Sequence, residues 1–215
     1  MTPAPLLLVE GLNDRHVVQH LLRAHGLLLD SDFRIKDTGG DNPLIVTLPV
    51  EIRAAGLTPL GVIVDADVDL QARWDSLNYS LKNAGYAPPN APDSRGSVLV
   101  QDDLPAIGIW VMPDNQLPGK LEDFVARLVP DQDPLLPMAN QATRSIPKEV
   151  RRFSEADLAK AVIHNWLAWQ EEPGSRMGEA FTKKYLDPQA PTAFVFVDWV
   201  RRLLAARPTE KANRR

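Results

Sequence analysis

Apolar residues follow two rhythms along the first two-thirds of the chain. Leu6-Leu7-Leu8-Val9, Gly61-Val62-Ile63-Val64 and Ile107 to Val111 are short runs unbroken by polar residues, the pattern of strands buried on both faces of a parallel sheet. Phe33 to Lys36 alternates apolar and basic residues and reads as a further strand. Between these runs, Val17, Val18, Leu21 and Leu22 recur at helical spacing over Asp14 to His25, and Gly26 stands where a helix-ending residue belongs. A second helix opens near Pro43, after the turn Asp37-Thr38-Gly39-Gly40-Asp41-Asn42-Pro43. Asp69 to Ala84, closed by Gly85, is a third helix and Lys120 to Leu128 a fourth, while the Pro-, Asp- and Gly-rich stretch 86–106 reads as irregular. Strands alternating with helices imply right-handed crossovers. The expected class is α/β: a Rossmann-like, mostly parallel four-stranded sheet flanked by helices, with a C-terminal helical extension.

That extension follows a change in composition. Four prolines with Gln, Asn and Asp mark 130–147 as a connector. Ser154 and Asp157 can then cap a helix carrying Leu158, Ala161, Val162, Asn165, Trp166 and Trp169 at helical spacing. Pro173-Gly174-Ser175 breaks it, and two more helices are expected near 176–186 and 191–206. The expected layout is an α/β domain over 1–129, the connector, a helical extension over 148–206 packed on that domain, and a flexible basic tail over 207–215.

Composition narrows the class. The chain has 215 residues, 44% of them hydrophobic and 24% charged, and contains no cysteine. Disorder, a disulfide scaffold and a thiolate zinc site are excluded. Leu6 to Val9, the longest aliphatic run near the start, is too short for a signal segment or a membrane span, so a soluble cytoplasmic protein with no membrane partner is expected. The net charge is −4, yet residues 201–215 carry six basic side chains against Glu210 alone, a local +5 that leaves −9 for the rest. A nucleic-acid binder relying on its own basic face shows the opposite balance, so bound metal or a partner chain must supply positive potential.

The acidic residues gather where such a fold places ligands. Glu10 ends the first strand, and Asp65 ends the third with Asp67 and Asp69 behind it. Residues just past the carboxyl ends of parallel strands converge on one edge. Asp14 lies four residues after Glu10, across Gly11, and Glu122 and Asp123 open the helix after the fourth strand. Four or more carboxylates at one place repel unless cations neutralise them, and hard oxygen ligands select Mg²⁺ or Mn²⁺. Two such ions about 4 Å apart clamp the attacking and leaving oxygens of a phosphodiester. Taken singly, Glu10 or Asp14 is an ordinary helix N-terminal acid, and Asp69 reads as the cap of its own helix.

Leu8-Val9-Glu10-Gly11-Leu12-Asn13-Asp14 and Val62-Ile63-Val64-Asp65-Ala66-Asp67 resemble the two signature motifs of the Toprim domain, found in topoisomerases, primases, recombination proteins and the OLD (overcoming lysogenization defect) nucleases. That resemblance implies a small parallel sheet with flanking helices, binding Mg²⁺ through the strand-one glutamate and the D-x-D pair. The OLD branch is the most similar. It adds an acid four places after the glutamate, matched by Asp14, an L-E motif matched by Leu121-Glu122, and a downstream helical lysine matched by position at Lys160. Trp110-Val111-Met112-Pro113-Asp114-Asn115 and Gly119-Lys120-Leu121-Glu122-Asp123-Phe124 are similar to a stand-alone, OLD-like Toprim group of uncharacterised bacterial and archaeal proteins. The resemblance thus implies a metal-dependent nuclease acting on nucleic acid, DNA in the first instance. One or two Mg²⁺ or Mn²⁺ would be held by Glu10, Asp14, Asp65, Asp67 and Glu122, with Lys160 stabilising transition-state charge. Asp69, Asp114 and Asp123 are additional candidates, and Gly39-Gly40 is a candidate phosphate-binding turn. OLD proteins usually carry a fused ATPase domain. No G-x-x-x-x-G-K-[ST] occurs here, so any ATPase must be a separate subunit, and the chain would then be a partner-dependent or regulatory one. The apolar helical extension offers a homodimer face.

Other chemistries fit less well. An aspartate-nucleophile phosphatase also ends a strand in D-x-D, but on its first strand, and would leave Glu10 and Asp14 without a role. A calcium loop counted from Asp65 has Leu70 where glycine is needed and Ser76 where glutamate is needed. His16 and His20 have zinc-like spacing without H-E-x-x-H and read as helix surface. The five tryptophans read as core or subunit contacts.

Overall fold

The computed structural model describes residues 4–206. Its three longest-buried strands, β1 (Leu6–Val9), β3 (Leu60–Asp65) and β5 (Ile107–Met112), are the continuous apolar runs, and they occupy the middle of the sheet. β2 (Arg34–Asp37) flanks β1, and β4 (Ser97–Leu99) flanks β5, giving the order β2-β1-β3-β5-β4. All pairings are parallel except β4 with β5. The sheet therefore has five strands rather than four, because a three-residue edge strand forms inside the stretch expected to be irregular.

Helices α1 (Leu12–Ala24), α2 (Asp41–Ala55), α3 (Leu70–Asn83) and α4 (Leu121–Ala126) alternate with the strands. After them come α5 (Leu135–Arg144), a single 3-10 turn over Glu155–Asp157, α6 (Leu158–Ala168), α7 (Glu179–Thr182) and α8 (Pro191–Ala205). Two of these correct the sequence reading. The connector 130–147 contains a ten-residue helix, α5, and the helix expected near 176–186 shrinks to the four residues of α7. The basic tail 207–215 lies outside the described residues. No helix among the described residues is long and apolar enough to cross a membrane.

Each face of the sheet builds its own core. Leu8, Val62, Val64, Ile109 and Val111 point to the side covered by Leu44, Leu48, Trp74 and Leu77 of α2 and α3. Leu7, Val9, Ile63, Trp110 and Met112 point to the other, under α1, α4, α6 and α8. This is the strand alternation of period two, with both faces apolar. On the second face α8 lies directly on the sheet. Gly61 and Gly108 are paired across β3 and β5, and a Cβ at Gly108 would stand 2.8 Å from Leu203 Cδ2. Trp199 fills the adjoining space and donates from Nε1 to the Ser97 carbonyl at 3.0 Å, pinning the edge strand. Trp74, Trp110, Trp166 and Trp199 are fully buried, whereas Trp169 is 39% exposed. His20 and His16 pack against α7 and the residue before it: Thr182 Oγ1 lies 3.3 Å from His20 Nδ1, and Gly178 abuts His16. α6 packs against α4 and α5, and this carries Lys160 to the rim of the carboxyl edge of the sheet.

Candidate functional site

From β1 the chain crosses outward to β2 and then returns to place β3 on the opposite side of β1. The crossovers diverge there and leave a crevice at the carboxyl ends of β1 and β3. Glu10 follows β1 and Asp65 ends β3. The Asp65 N–H donates to Glu10 Oε1 at 2.9 Å, and the Leu121 N–H donates to Asp65 Oδ1 at 2.9 Å. The second bond docks the first residue of α4 on Asp65 and so brings Glu122, the next residue, into the crevice. Asp14, in the first turn of α1, and Glu122 are both buried, at 9% and 6% exposure.

Together Glu10, Asp14, Asp65 and Glu122 line a cleft of about 400 Å³, with Gly39 and Gly40 on one wall and Lys120, Asp157 and Lys160 on another. The glycine turn is laced to β1: the Thr38 N–H donates to the Val9 carbonyl at 3.0 Å and the Gly40 N–H to the Glu10 carbonyl at 2.7 Å. The Gly40 amide is therefore committed within the protein rather than free to meet a phosphate.

Crowding of carboxylates shapes the electrostatics. Burial, followed by the charges of Glu10, Asp14, Glu122 and Asp67, pushes the Asp65 carboxyl up to about 9. Asp14 is raised to about 6, mainly by burial with help from Glu122, against backbone hydrogen bonds and the Lys160 ammonium, which pull it down. The side-chain oxygens lining the cleft are carboxylates with the Asn13 amide, and no imidazole is among them, which suits a hard divalent cation. Among the described residues, no three acidic or imidazole side chains are drawn together tightly enough to hold an ion as they stand. The hydrogen bonds explain part of this, because Glu10 Oε1 and Asp65 Oδ1 are each turned onto a backbone N–H.

Asp67 stands apart from the other acids. Its φ of 55° puts it in the left-handed region, where Asp is tolerated, and it exchanges two backbone hydrogen bonds with Gly119, at 2.9 and 2.8 Å. Gly119 has φ of 145°, and a Cβ there would meet Asp123 Oδ2 at 2.9 Å, so this bridge needs glycine. The Asp67 carboxylate is held by the Arg73 guanidinium and, at 3.3 Å, by Lys120 Nζ. It lines a neighbouring groove rather than the cleft of Asp65. Asp69 accepts from the Ala72 N–H at 3.0 Å as the cap of α3. Asp123 accepts from the Lys120 N–H at 2.8 Å, tying the first turn of α4 back to the residue before it. Asp114 accepts from the Gln116 and Leu117 amides and pairs with Arg127 at 2.8 Å. These three acids are engaged in local structure.

Lys120 is the site residue that sequence reasoning passed over. It bridges Asp67 and Asp157, 3.6 Å away, and faces both the cleft and the groove. Burial alone would lower it, but the hydrogen bond and charge of Asp67, with Asp157 and Asp65, hold it above its ordinary value. Its one sequence signal was adjacency to Leu121-Glu122, which does not show what a lysine faces.

Two solved structures of the C-terminal region of the OLD protein of Xanthomonas campestris pv. campestris are similar to this chain. The one phased with platinum aligns with a TM-score of 0.50 and 15% identity, covering 94% of each chain. The one phased with mercury aligns at 0.49 and 16%, covering 94% of this chain and 96% of the other. At such identity the platinum-phased structure speaks for the fold alone. No curated protein matches the sequence. The model of the family described as "Protein of unknown function (DUF3226)" matches residues 4–205, and the chain belongs to that family.

Proposed function

We propose that this protein is a divalent-cation-dependent phosphodiesterase acting on nucleic acid, DNA in the first instance, built on a Toprim-type site like that of the OLD nucleases. The observation that carries the reading is the convergence of Glu10, Asp14, Asp65 and Glu122 on one cleft at the carboxyl edge of the parallel sheet, with Lys160 and Lys120 on its wall. A carboxyl pushed up to about 9, by burial first and by its acidic neighbours second, marks a place where a bound cation would offset both costs.

When bound, one or two Mg²⁺ or Mn²⁺ ions supply Lewis acidity and a water activated near neutral pH. The chain supplies the rest. Glu10, Asp14, Asp65 and Glu122 would provide the oxygen ligands, and the Asp65 and Leu121 amides orient two of them. Asp67, held by Arg73 through Oδ2, would join them through Oδ1 if Lys120 released that oxygen. Lys160 faces the negative charge that builds on the phosphoryl oxygens, an electrostatic role whose removal costs about 10²–10³ in rate.

A second reading has its own support. Asp67 is tied to Arg73 and Lys120, and no ready-made metal cage exists among the described residues. Both features fit a subunit that becomes competent only beside a partner, whether a separate ATPase chain or a second copy of itself.

The test is cleavage of supercoiled plasmid by the chain alone with Mg²⁺, Mn²⁺ or EDTA, using wild type, Asp65→Ala and Lys160→Ala. Metal-dependent nicking that Asp65→Ala abolishes and Lys160→Ala reduces supports the phosphodiesterase. Full activity in Asp65→Ala would show that the site is misplaced, and metal binding without nicking would favour the partner-dependent reading.

A further inference from the structure

Three cavities adjoin one another in sequence. The acidic cleft shares Lys120 and Glu122 with a groove of about 690 Å³ between α4, α5 and α6. That groove in turn shares Arg144, Glu155 and Leu158 with an outer depression of about 610 Å³.

Their chemistry changes along the path. The outer depression is basic in an otherwise acidic protein, because Arg144, Lys148 and Arg151 line it against Glu155 alone. It also holds Phe153, with the Arg151 guanidinium 5.4 Å from the ring centroid. The middle groove is walled by Leu136, Pro137, Ala159, Val162 and Ile163. Two acids along the way carry cation partners: Glu155 pairs with Arg151 at 3.1 Å, and Asp67 with Arg73 and Lys120, while Glu122 belongs to the acidic cleft. Asp123 accepts the Lys120 N–H.

We propose that this path binds a single strand of nucleic acid, its phosphates over Arg144 and Lys148 and an unpaired base in the apolar groove beside the acidic cleft. The inference rests on the phosphodiesterase reading and names the form of its substrate. Cations with an aromatic ring form the surface that tracks a flexible strand, through phosphate contacts and base stacking. An apolar cavity has nothing to gain from a duplex, whose base faces are buried against one another, whereas an unpaired base offers both faces. The groove's volume lies within the roughly 300–1,000 Å³ of small-molecule sites, so it admits a base with its sugar. The path also supplies, within the described residues, the positive potential that the net charge of −4 denies the chain as a whole.

The test is fluorescence anisotropy in EDTA, where cleavage is silent, with labelled oligothymidylate and oligouridylate of roughly ten nucleotides and a duplex of the same length. The full chain is compared with Arg144→Gln/Lys148→Gln and with Ala159→Trp, which fills the groove. Single strands should bind at least ~10-fold tighter than duplex, a difference of about 1.4 kcal/mol. The double variant should weaken that binding and flatten its salt dependence by about 1.4 in log–log slope, roughly 0.7 per lost phosphate contact. Ala159→Trp should erase the preference for single strands. The double variant sits on the exposed surface and keeps the test valid if Ala159→Trp does not fold. Duplex bound as tightly as single strand, binding unchanged in the double variant, or no binding by wild type would each overturn the path. The two readings separate cleanly. Variant-sensitive strand binding by a protein that cleaves nothing supports the path and sinks the phosphodiesterase, while metal-dependent cleavage indifferent to Arg144 and Lys148 does the reverse.

Discussion

The backbone N–H of Asp65 donates to Oε1 of Glu10 at 2.9 Å, so one carboxylate both ties the ends of β1 and β3 together and raises its neighbour's affinity for a proton. The two roles can be separated. Glu10→Gln keeps an oxygen acceptor and removes the charge, whereas Glu10→Ala removes both. Urea unfolding should place the Gln variant within about 0.5 kcal/mol of wild type, or above it, and the Ala variant about 1 kcal/mol below. Equal losses in both would mean that the charge, not the hydrogen bond, supports the fold.

Metal-free protein should lose stability as pH rises. Asp65 and Asp14 are acids raised in the folded state from 3.8 to about 9 and about 6. The native chain therefore holds protons that the unfolded chain has released, and the slope of unfolding free energy against pH is negative from about 4 upward. Asp14 has made its contribution by about pH 6, and the decline due to Asp65 continues to about pH 9. Urea midpoints in EDTA at about pH 5, 7 and 9 measure it, and Asp65→Asn should remove most of the upper half. A midpoint that is flat or rises with pH contradicts the placement of these groups.

The Lys120 ammonium lies 3.3 Å from Asp67 Oδ1 and competes with any cation for that oxygen. Lys120→Met should free one oxygen of Asp67, remove a positive charge from the cleft wall, and tighten Mn²⁺ binding about 10-fold, or about 1.4 kcal/mol. Calorimetry reads this directly. Weaker binding in the variant would assign Lys120 to holding the ligands in place.

The close seat of α8 on the sheet should tolerate no extra bulk. Gly108→Val places branched carbon where Leu203 and Trp199 already stand, and such overpacking costs about 1–3 kcal/mol. A thermal melt should fall by roughly 3–10 °C for a chain of this size. No change would mean that α8 shifts freely over the sheet.

Much of this architecture can be read without coordinates, and the exceptions have physical causes. β1, β3 and β5 announce themselves as unbroken apolar runs because both faces are covered. β4 leaves no such mark: it is three residues long, lies at an edge, and is held by Trp199 from a helix a hundred residues away. α5 hides behind its prolines, yet Pro134 sits at its N-cap and Pro137 in its first turn, where a missing N–H costs little. At the site, Glu10 and Asp65 stand out as acids directly after buried strands. The separation of Asp67 from them depends on one left-handed turn and on Arg73 and Lys120, none of which leaves a periodic trace.

Uptake of a divalent cation by the carboxylate cluster can be followed by titrating the protein with Mn²⁺ calorimetrically near pH 7.5, in buffers of different ionisation enthalpy, beside Asp65→Ala. With Asp65 raised to about 9, binding should be saturable and release about one proton per protein, and the variant should lose both binding and proton release. Absence of binding in wild type, or binding with identical proton release in Asp65→Ala, would contradict uptake at this cluster.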